Sequence, residues 1–257
     1  MSIEISNLVK KFDNSDAVIF DGINLTVSDG EFVCILGPSG CGKSTLLNII
    51  AGLIKPSGGT ITADGREVTA PGADRVMMFQ ESALFPWLTV WDNVLFGMRQ
   101  NKVSKDEMNE RAEKYLAMVH LSEYKNYRVH QISGGMKQRC ALARALSLNS
   151  GILLMDEPFA SLDKQTINVL RDELVEIWQR ERRTIIYVTH SVEEAIFFSD
   201  RVVMLSSSPG RIKKIYDIGF PRPRHIDSAE FLHIRADILK QLRNEVDITE
   251  KFDIQKA

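Results

Sequence analysis

The chain has 257 residues, 44% of them hydrophobic and 26% charged, with a formal net charge of −2. These are ordinary globular values, enough for one large domain or one domain with a sizeable insertion, and the lack of a basic excess argues against a nucleic-acid partner. Three scattered cysteines, Cys34, Cys41 and Cys140, show no CxxC spacing and read as reduced thiols, neither disulfide-bonded nor zinc-bound.

The opening MSIEISNLVKKF has acidic and polar residues where a signal peptide needs an apolar core. No apolar run approaches the roughly 18 residues that cross a bilayer. The expectation is a soluble chain that another protein holds at any membrane where it works. Its first third is strand-rich: IEISNLV and INLTV alternate apolar and polar residues, and EFVCIL is a nearly continuous apolar run. STLLNIIAG reads as a helix closed by Gly52, GGTITADGREV as a hairpin turning at Asp64-Gly65, and RVMMF as the next strand.

From about Ser82 to Asn149 the period becomes helical, with Ser104 and Glu107 forming a capping box before MNERAEKYLAMVHL and a further helix starting at Ser133. GILLM has the wholly apolar pattern of a central parallel strand, and Asp163 caps a long helix with Ile167, Leu170, Leu174, Ile177 and Trp178 on one face. TIIYVTH is a strand, EEAIFF a short helix, and RVVMLS and RIKKIYDI a closing pair. Strands alternating with helices predict an α/β core with a largely parallel sheet, interrupted by a helical subdomain at about 82–149. Beyond Pro221 an RPR turn, with Arg222, Arg224 and His225 read as solvated, leads into a C-terminal helix from about Ser228 to Val246.

Two stretches have the form of anion-binding turns that open a helix, GPSGCGKST from Gly37 to Thr45 and ISGGMKQR from Ile132 to Arg139. The first matches G-x(4)-GK[ST] after a strand and before a helix. Its glycines let backbone N–H groups curl around a phosphate, Lys43 reaches the β- and γ-phosphates, and the Ser44 hydroxyl suits Mg²⁺. Asp156, at the end of the ILLM strand, faces the crevice where ligands bind in open α/β sheets and fits a magnesium-directed carboxylate. Glu157 follows it, placed to take a proton from an attacking water. His190 and Gln80 end strands at the same predicted edge, with Gln80 suited to Mg²⁺ or to the attacking water.

Taken together, the motifs resemble those of the ATP-binding subunits of ABC transporters, over residues 3 to 218. GPSGCGKST is similar to Walker A, Gln80 to the Q-loop glutamine, ISGGMKQR to the signature motif, ILLMDEP to Walker B with its catalytic glutamate, ASLD to the D-loop and His190 to the switch histidine. The resemblance implies a P-loop NTPase core at 1–220, with an N-terminal antiparallel β subdomain, the helical insertion and a helical tail at 221–257. It implies ATP and Mg²⁺ as ligands. Gly37, Pro38, Ser39, Gly40, Cys41, Gly42, Lys43, Ser44 and Thr45 would hold the nucleotide, and Phe12 would stack on adenine where Tyr is usual. Ser44, Gln80 and Asp156 would serve the metal. Ser133, Gly134 and Gly135 would cap the γ-phosphate of a second copy's ATP in a head-to-tail dimer, and Lys43, Gln80, Glu157 and His190 would carry catalysis.

Ile132 for Leu and Lys137 for Arg are mild departures from the signature. The apolar group Leu84, Phe85, Trp87 and Leu88 falls where the family receives a helix of a separate permease subunit, at 82–98. FQESALFPWLTVWDNV, SSSPGRI and the tail resemble the importer branch for nitrate, sulfonates, taurine and similar solutes. That branch implies a separate solute-binding protein and a place on the cytoplasmic face of the membrane.

Overall fold

The computed structural model describes residues 1–12, 18–207 and 209–256, so Ser208 of SSSPGRI and the terminal Ala257 lie outside the described residues. In chain order the elements are β1 (Ile3–Lys11), β2 (Val18–Val27), β3 (Phe32–Leu36), α1 (Lys43–Ile50), β4 (Gly58–Ala63), β5 (Arg66–Glu67) and β6 (Arg75–Met78). There follow α2 (Val90–Gln100), α3 (Lys105–Met118), α4 (Gly134–Ser147), β7 (Ile152–Asp156), α5 (Lys164–Glu181), β8 (Thr184–Val188), α6 (Val192–Phe198), β9 (Arg201–Leu205), β10 (Ile212–Asp217) and α7 (Ala229–Lys256). They form two compact units, Met1–Pro71 with Thr184–Ala257, and Gly72–Arg183. The second holds the helical segment 82–149 together with β6, β7 and α5.

In the first unit β2, β1, β4 and β5 make an antiparallel sheet in that order. Asp64 and Gly65 both have positive φ, 46° and 72°, the conformation a two-residue hairpin turn needs. β2 begins at Val18, earlier than the INLTV pattern shows, because Asp21 and Gly22 interrupt the alternation although the pairing with β1 continues to Lys11 and Val18. Elsewhere in this unit β3 lies parallel between β8 and β9, with β10 antiparallel on β9. β3 and β8 are buried along their whole length, which is why their sequences run apolar instead of alternating. Phe32, Tyr187 and Phe198 cluster beside them, with ring centroids 5.1–5.9 Å apart.

The RPR turn does not behave as a solvated turn. Arg224 is buried, and its guanidinium donates to the carbonyls of Ile196 (2.6 Å), Phe197 (3.2 Å), Ser199 (2.6 Å) and Ile218 (2.9 Å). A helix end leaves carbonyls without intrahelical partners, and this one cation serves those of α6. Burial, with repulsion from Arg222, lowers the Arg224 pKa to about 10. Arg222 pairs with Asp200 at 2.8 Å, and only His225 of the three stays exposed. Beyond the turn, α7 is seated by Phe231, Ile238 and Glu245, one buried residue every seven.

In the second unit β6 and β7 pair in parallel, Met78 opposite Met155, and every residue of β7 is buried. The helices start where the sequence places capping residues: Thr89, Ser104, Ser133 and Asp163 each accept an N–H from the first turn of α2, α3, α4 and α5. Tyr115 and Lys114 of α3 both reach Glu181 Oε1 at 2.8 Å, and the buried Arg183 pairs with Oε2 at 2.5 Å. Burial raises the Glu181 pKa, but hydrogen bonds from Lys114 and Tyr115 and the Arg183 charge outweigh it and hold the carboxyl below its ordinary range.

Glu181→Gln is therefore expected to lower stability at neutral pH by about 1–3 kcal/mol, read from urea midpoints. A depressed carboxylate contributes fully above its unfolded pKa of about 4.3 and loses that contribution as pH falls through the lower folded value. The midpoints of the two proteins should converge on acidification; a constant gap would assign the loss to something other than the ionised carboxylate.

Candidate functional site

The residues Gly37–Thr45 span the loop between β3 and α1. Gly42, the residue before α1, has φ +99°, and a Cβ there would lie 2.7 Å from both Ile19 Cγ2 and the Phe20 ring. Only glycine meets both conditions. Lys43 is 9% exposed, and its ammonium donates to the carbonyls of Gly37 (2.9 Å) and Pro38 (2.8 Å). It forms no ion pair with a carboxylate among the described residues. Its third contact is the Cys41 sulfur at 3.9 Å, a weak acceptor. A buried cation held by neutral acceptors is costly, and an anion entering the loop offsets that cost. The positive end of α1 faces the same place. Ser44 is exposed, Thr45 half-buried, and Ser39 and Gly40 form the exposed tip of the loop. Burial raises the pKa of the Cys41 thiol, which lies against the loop backbone as a packing group.

His190 follows β8, and because β8 and β3 are parallel neighbours it leaves the sheet at the edge that also carries the loop Gly37–Thr45. It is exposed, whereas Arg183–Thr189 before it are buried. Phe12 stands just past β1, exposed, with the Lys10 ammonium 4.7 Å from its ring centroid.

The second unit collects the other residues. Gln80 follows β6, Asp156 ends β7 and is 5% exposed, and Glu157 comes next with φ +45°, a left-handed conformation that is strained for a residue with a side chain. The Gln80 amide nitrogen donates to Glu157 Oε2 at 3.2 Å, so its oxygen is the atom left to face a cation. Within this unit the Asp156 carboxylate and the Gln80 amide offer oxygen donors, and in the other the Ser44 hydroxyl does; oxygen is the donor type that a hard cation such as Mg²⁺ takes. Ser133 caps α4, accepting the Met136 N–H at 3.3 Å. A Cβ on Gly135 would touch Leu162 of the ASLD segment at 3.2 Å, whereas one on Gly134 would meet nothing within 4 Å.

Three residues that motif reasoning passed over hold the loop after Gln80. Asn93, fully buried in α2, accepts the Phe85 N–H (2.8 Å) and donates to the carbonyls of Phe85 (3.2 Å) and Thr89 (2.8 Å). Arg144 of α4 donates to the carbonyls of Ala83 (2.9 Å) and Ser82 (3.0 Å), and Arg128 to that of Trp87 (2.5 Å). The one available signal was a polar Asn on the apolar stripe of α2. Beside this loop lies a cavity of about 200 Å³ lined by Phe85, Phe96, Gly97, Ala141, Arg144 and Leu148 among others, and Trp87 is 64% exposed.

A family model described as ABC transporter matches residues 20–160. An uncharacterized ABC transporter ATP-binding protein of Methanocaldococcus jannaschii is 49% identical over 96% of this chain and 93% of its own length. A nitrate import ATP-binding protein of Synechocystis is 47% identical, covering 86% of this chain and 84% of the relative, and a bicarbonate transport ATP-binding protein of Synechococcus elongatus is 46% identical, covering 80% and 75%. Among solved structures, the dimeric structure of a bacterial ABC transporter cassette superposes with a TM-score of 0.77 at 32% identity, covering 85% of this chain and all of the cassette. That cassette in a post-hydrolysis state bound to ADP and phosphate gives 0.76 at 31% identity, with the same coverage.

Lys43→Met removes a buried charge that has no carboxylate partner. The variant should keep or slightly raise its melting temperature while its affinity for ATP falls at least about tenfold, the worth of one charge-assisted contact. Calorimetry and a fluorescent ATP analogue measure the two effects; a large loss of stability would mean that the ammonium is instead a structural prop.

Proposed function

The chain belongs to the ABC transporter family as an ATP-binding and ATP-hydrolysing subunit, and from that premise we propose that it powers a bacterial importer for a small solute as a head-to-tail dimer of two copies. The observation that carries the dimer is Gly134. It has neither a positive φ nor a crowded Cβ, so nothing among the described residues of its own chain calls for glycine, although alanine is the better helix former. The open space in front of the turn fits the phosphate of a nucleotide held by another copy.

In this reading the nucleotide loop of one copy binds ATP with Phe12 against the base, and Ser133, Gly134 and Gly135 of the other copy cap the γ-phosphate. ATP binding thus closes the dimer, and hydrolysis removes the contact that kept it closed. Lys43 and the loop N–H groups spread the charge of the β- and γ-phosphates. Ser44, Gln80 and Asp156 would hold Mg²⁺, which would supply positive charge to neutralise the departing phosphates. Glu157 accepts a proton from the attacking water, Gln80 orients that carboxylate through its amide, and His190 contacts the γ-phosphate. Fixed groups aimed at charge that develops in the transition state supply most of the acceleration.

No helix among the described residues is long and apolar enough to cross a membrane. A separate permease subunit would dock at residues 82–98, where the apolar cavity and the exposed Trp87 suit an amphipathic helix laid into a groove. That arrangement puts the chain on the cytoplasmic face of the membrane, with a solute-binding protein on the far side and no nucleic acid involved. The ATPase core takes residues 1–220 with its helical insertion at 82–149, and 221–257 form the tail. The named relatives are ATP-binding proteins of nitrate import and of bicarbonate transport, which favours a small oxyanion as cargo, with sulfonates and taurine as the neighbouring class.

Glu157→Gln should bind ATP and dimerise yet hydrolyse at least about 100-fold more slowly, the usual worth of a general base. Gly134→Ala should fold and bind ATP as the natural chain does but lose ATP-dependent dimerisation, measured by size-exclusion chromatography with light scattering. Normal dimerisation of that variant would remove the SGG turn from the interface. Affinity purification from gently solubilised membranes tests the transport role. Recovery of a multi-span subunit together with a solute-binding protein supports import, and that binding protein is then screened against nitrate, bicarbonate, sulfonates and taurine. A membrane subunit alone would point to an exporter or lipid transporter, and soluble partners alone to a non-transport ATPase.

A further inference from the structure

We propose that Glu194 is a positioning residue for His190, holding the turn that presents the imidazole; this rests on the reading of His190 as a catalytic group. β8 ends at Val188 and α6 begins at Val192, so Thr189, His190 and Ser191 make the whole connection. Ser191 caps α6 by accepting the Glu194 N–H at 3.2 Å. In an ordinary capping box the Glu at this position reaches back to the N–H of the capping residue. Here the Ser191 N–H goes instead to Thr189 Oγ1 (3.0 Å), and the Thr189 hydroxyl donates to Glu194 Oε2 (2.8 Å).

A hydroxyl has thus been inserted into the box, and the three bonds close a ring around residue 190. They run from the Glu194 N–H to Ser191 Oγ, from the Ser191 N–H to Thr189 Oγ1, and from the Thr189 hydroxyl to Glu194 Oε2. Thr189 is 2% exposed and its own N–H points to the Ile35 carbonyl of β3 at 3.5 Å, which ties the ring to the strand that feeds the nucleotide loop. The hydroxyl of the fully buried Tyr187 donates to the same carboxylate oxygen at 2.8 Å and anchors Glu194 from the core side. His190 is the exposed residue that this buried ring carries. With both flanking residues held, its Cα–Cβ direction is set at the sheet edge it shares with the loop Gly37–Thr45.

The chemistry explains the side chain. One oxygen must accept from two hydroxyls and donate to neither, which a carboxylate does and an amide oxygen can also do, whereas an apolar side chain removes the acceptor that both hydroxyls use. Steady-state ATP hydrolysis by the full chain tests the proposal. Glu194→Leu should lower kcat by about tenfold or more with the KM for ATP within about threefold, the signature of lost positioning in the transition state. Glu194→Gln should restore turnover to within about threefold, and Tyr187→Phe, which leaves the ring closed, should do the same.

His190→Ala should lose at least as much as Glu194→Leu, and the double variant should lose no more than His190→Ala alone, because two residues acting through one group are not additive. Losses that add, or a fully active Glu194→Leu beside an impaired His190→Ala, overturn the proposal. A fully active His190→Ala overturns the reading of His190 on which it rests. Should Glu194→Leu fail to fold, Thr189→Val opens the same ring with a nearly isosteric side chain and is judged by the same double-variant comparison.

Discussion

The loop Gly37–Thr45 is organised around one unfavourable charge. Lys43 brings an ammonium group into a buried position and gives it two backbone carbonyls, those of Gly37 and Pro38, as partners. Such an arrangement is tolerable only if the surrounding backbone is too tightly fixed to relax and if an anion arrives in the working state. The fixing is visible in the glycines. A Cβ on Gly37 would fall 2.7 Å from the Cys41 sulfur, and one on Gly210 would fall 2.7 Å from the Cys41 carbonyl oxygen, so the loop is clamped where side chains have been removed from its surroundings. Buried parallel strands beneath it supply the rigidity, and the end of α1 supplies the field.

A comparable economy governs the other unit. Asp156 is held by a strand whose every residue is buried, and Glu157, on the next peptide, accepts a left-handed backbone that aims its carboxylate at Gln80. Gln80 begins a loop whose carbonyls are taken by Asn93, Arg144 and Arg128 from the neighbouring helical segments. That loop cannot shift at Phe85 or Trp87 without breaking these bonds. On the proposed reading of the cavity as a docking groove, a helix seated there would act on Gln80 through a stiff connection.

Arginine is used in this chain as a helix terminator as much as a surface charge. Arg224 fills the carbonyls at the end of α6 and Arg183 reaches the Leu146 carbonyl at the end of α4, each cation taking up acceptors that a helix leaves unpaired. At the start of α6 the converse holds, with the Thr189 hydroxyl accepting the Ser191 N–H and Ser191 Oγ accepting the Glu194 N–H. The ends of the short elements beside the site are thus held by side chains drawn from other turns and loops, and only in part by their own capping residues.

By itself the sequence determined what depends on near neighbours along the chain. Gly37-x(4)-Gly42-Lys43-Ser44 announces its loop because the glycines that a tight phosphate turn needs must be adjacent to it. The helix starts at Ser104, Ser133 and Asp163, the Asp64-Gly65 turn and the apolar runs of β3, β7 and β8 are likewise local demands of backbone geometry and burial. The tertiary structure alone decided what depends on distant residues meeting. Gln80 and Glu157, 77 positions apart, share a hydrogen bond; Arg224 turns inward because the α6 carbonyls stand without partners; and the start of β2 is set by β1 across a stretch where Asp21 and Gly22 hide the alternation. A charged residue in a turn reads the same whether water or a helix end satisfies it, since hydrogen-bond partners are chosen by the fold and leave no periodicity in the chain.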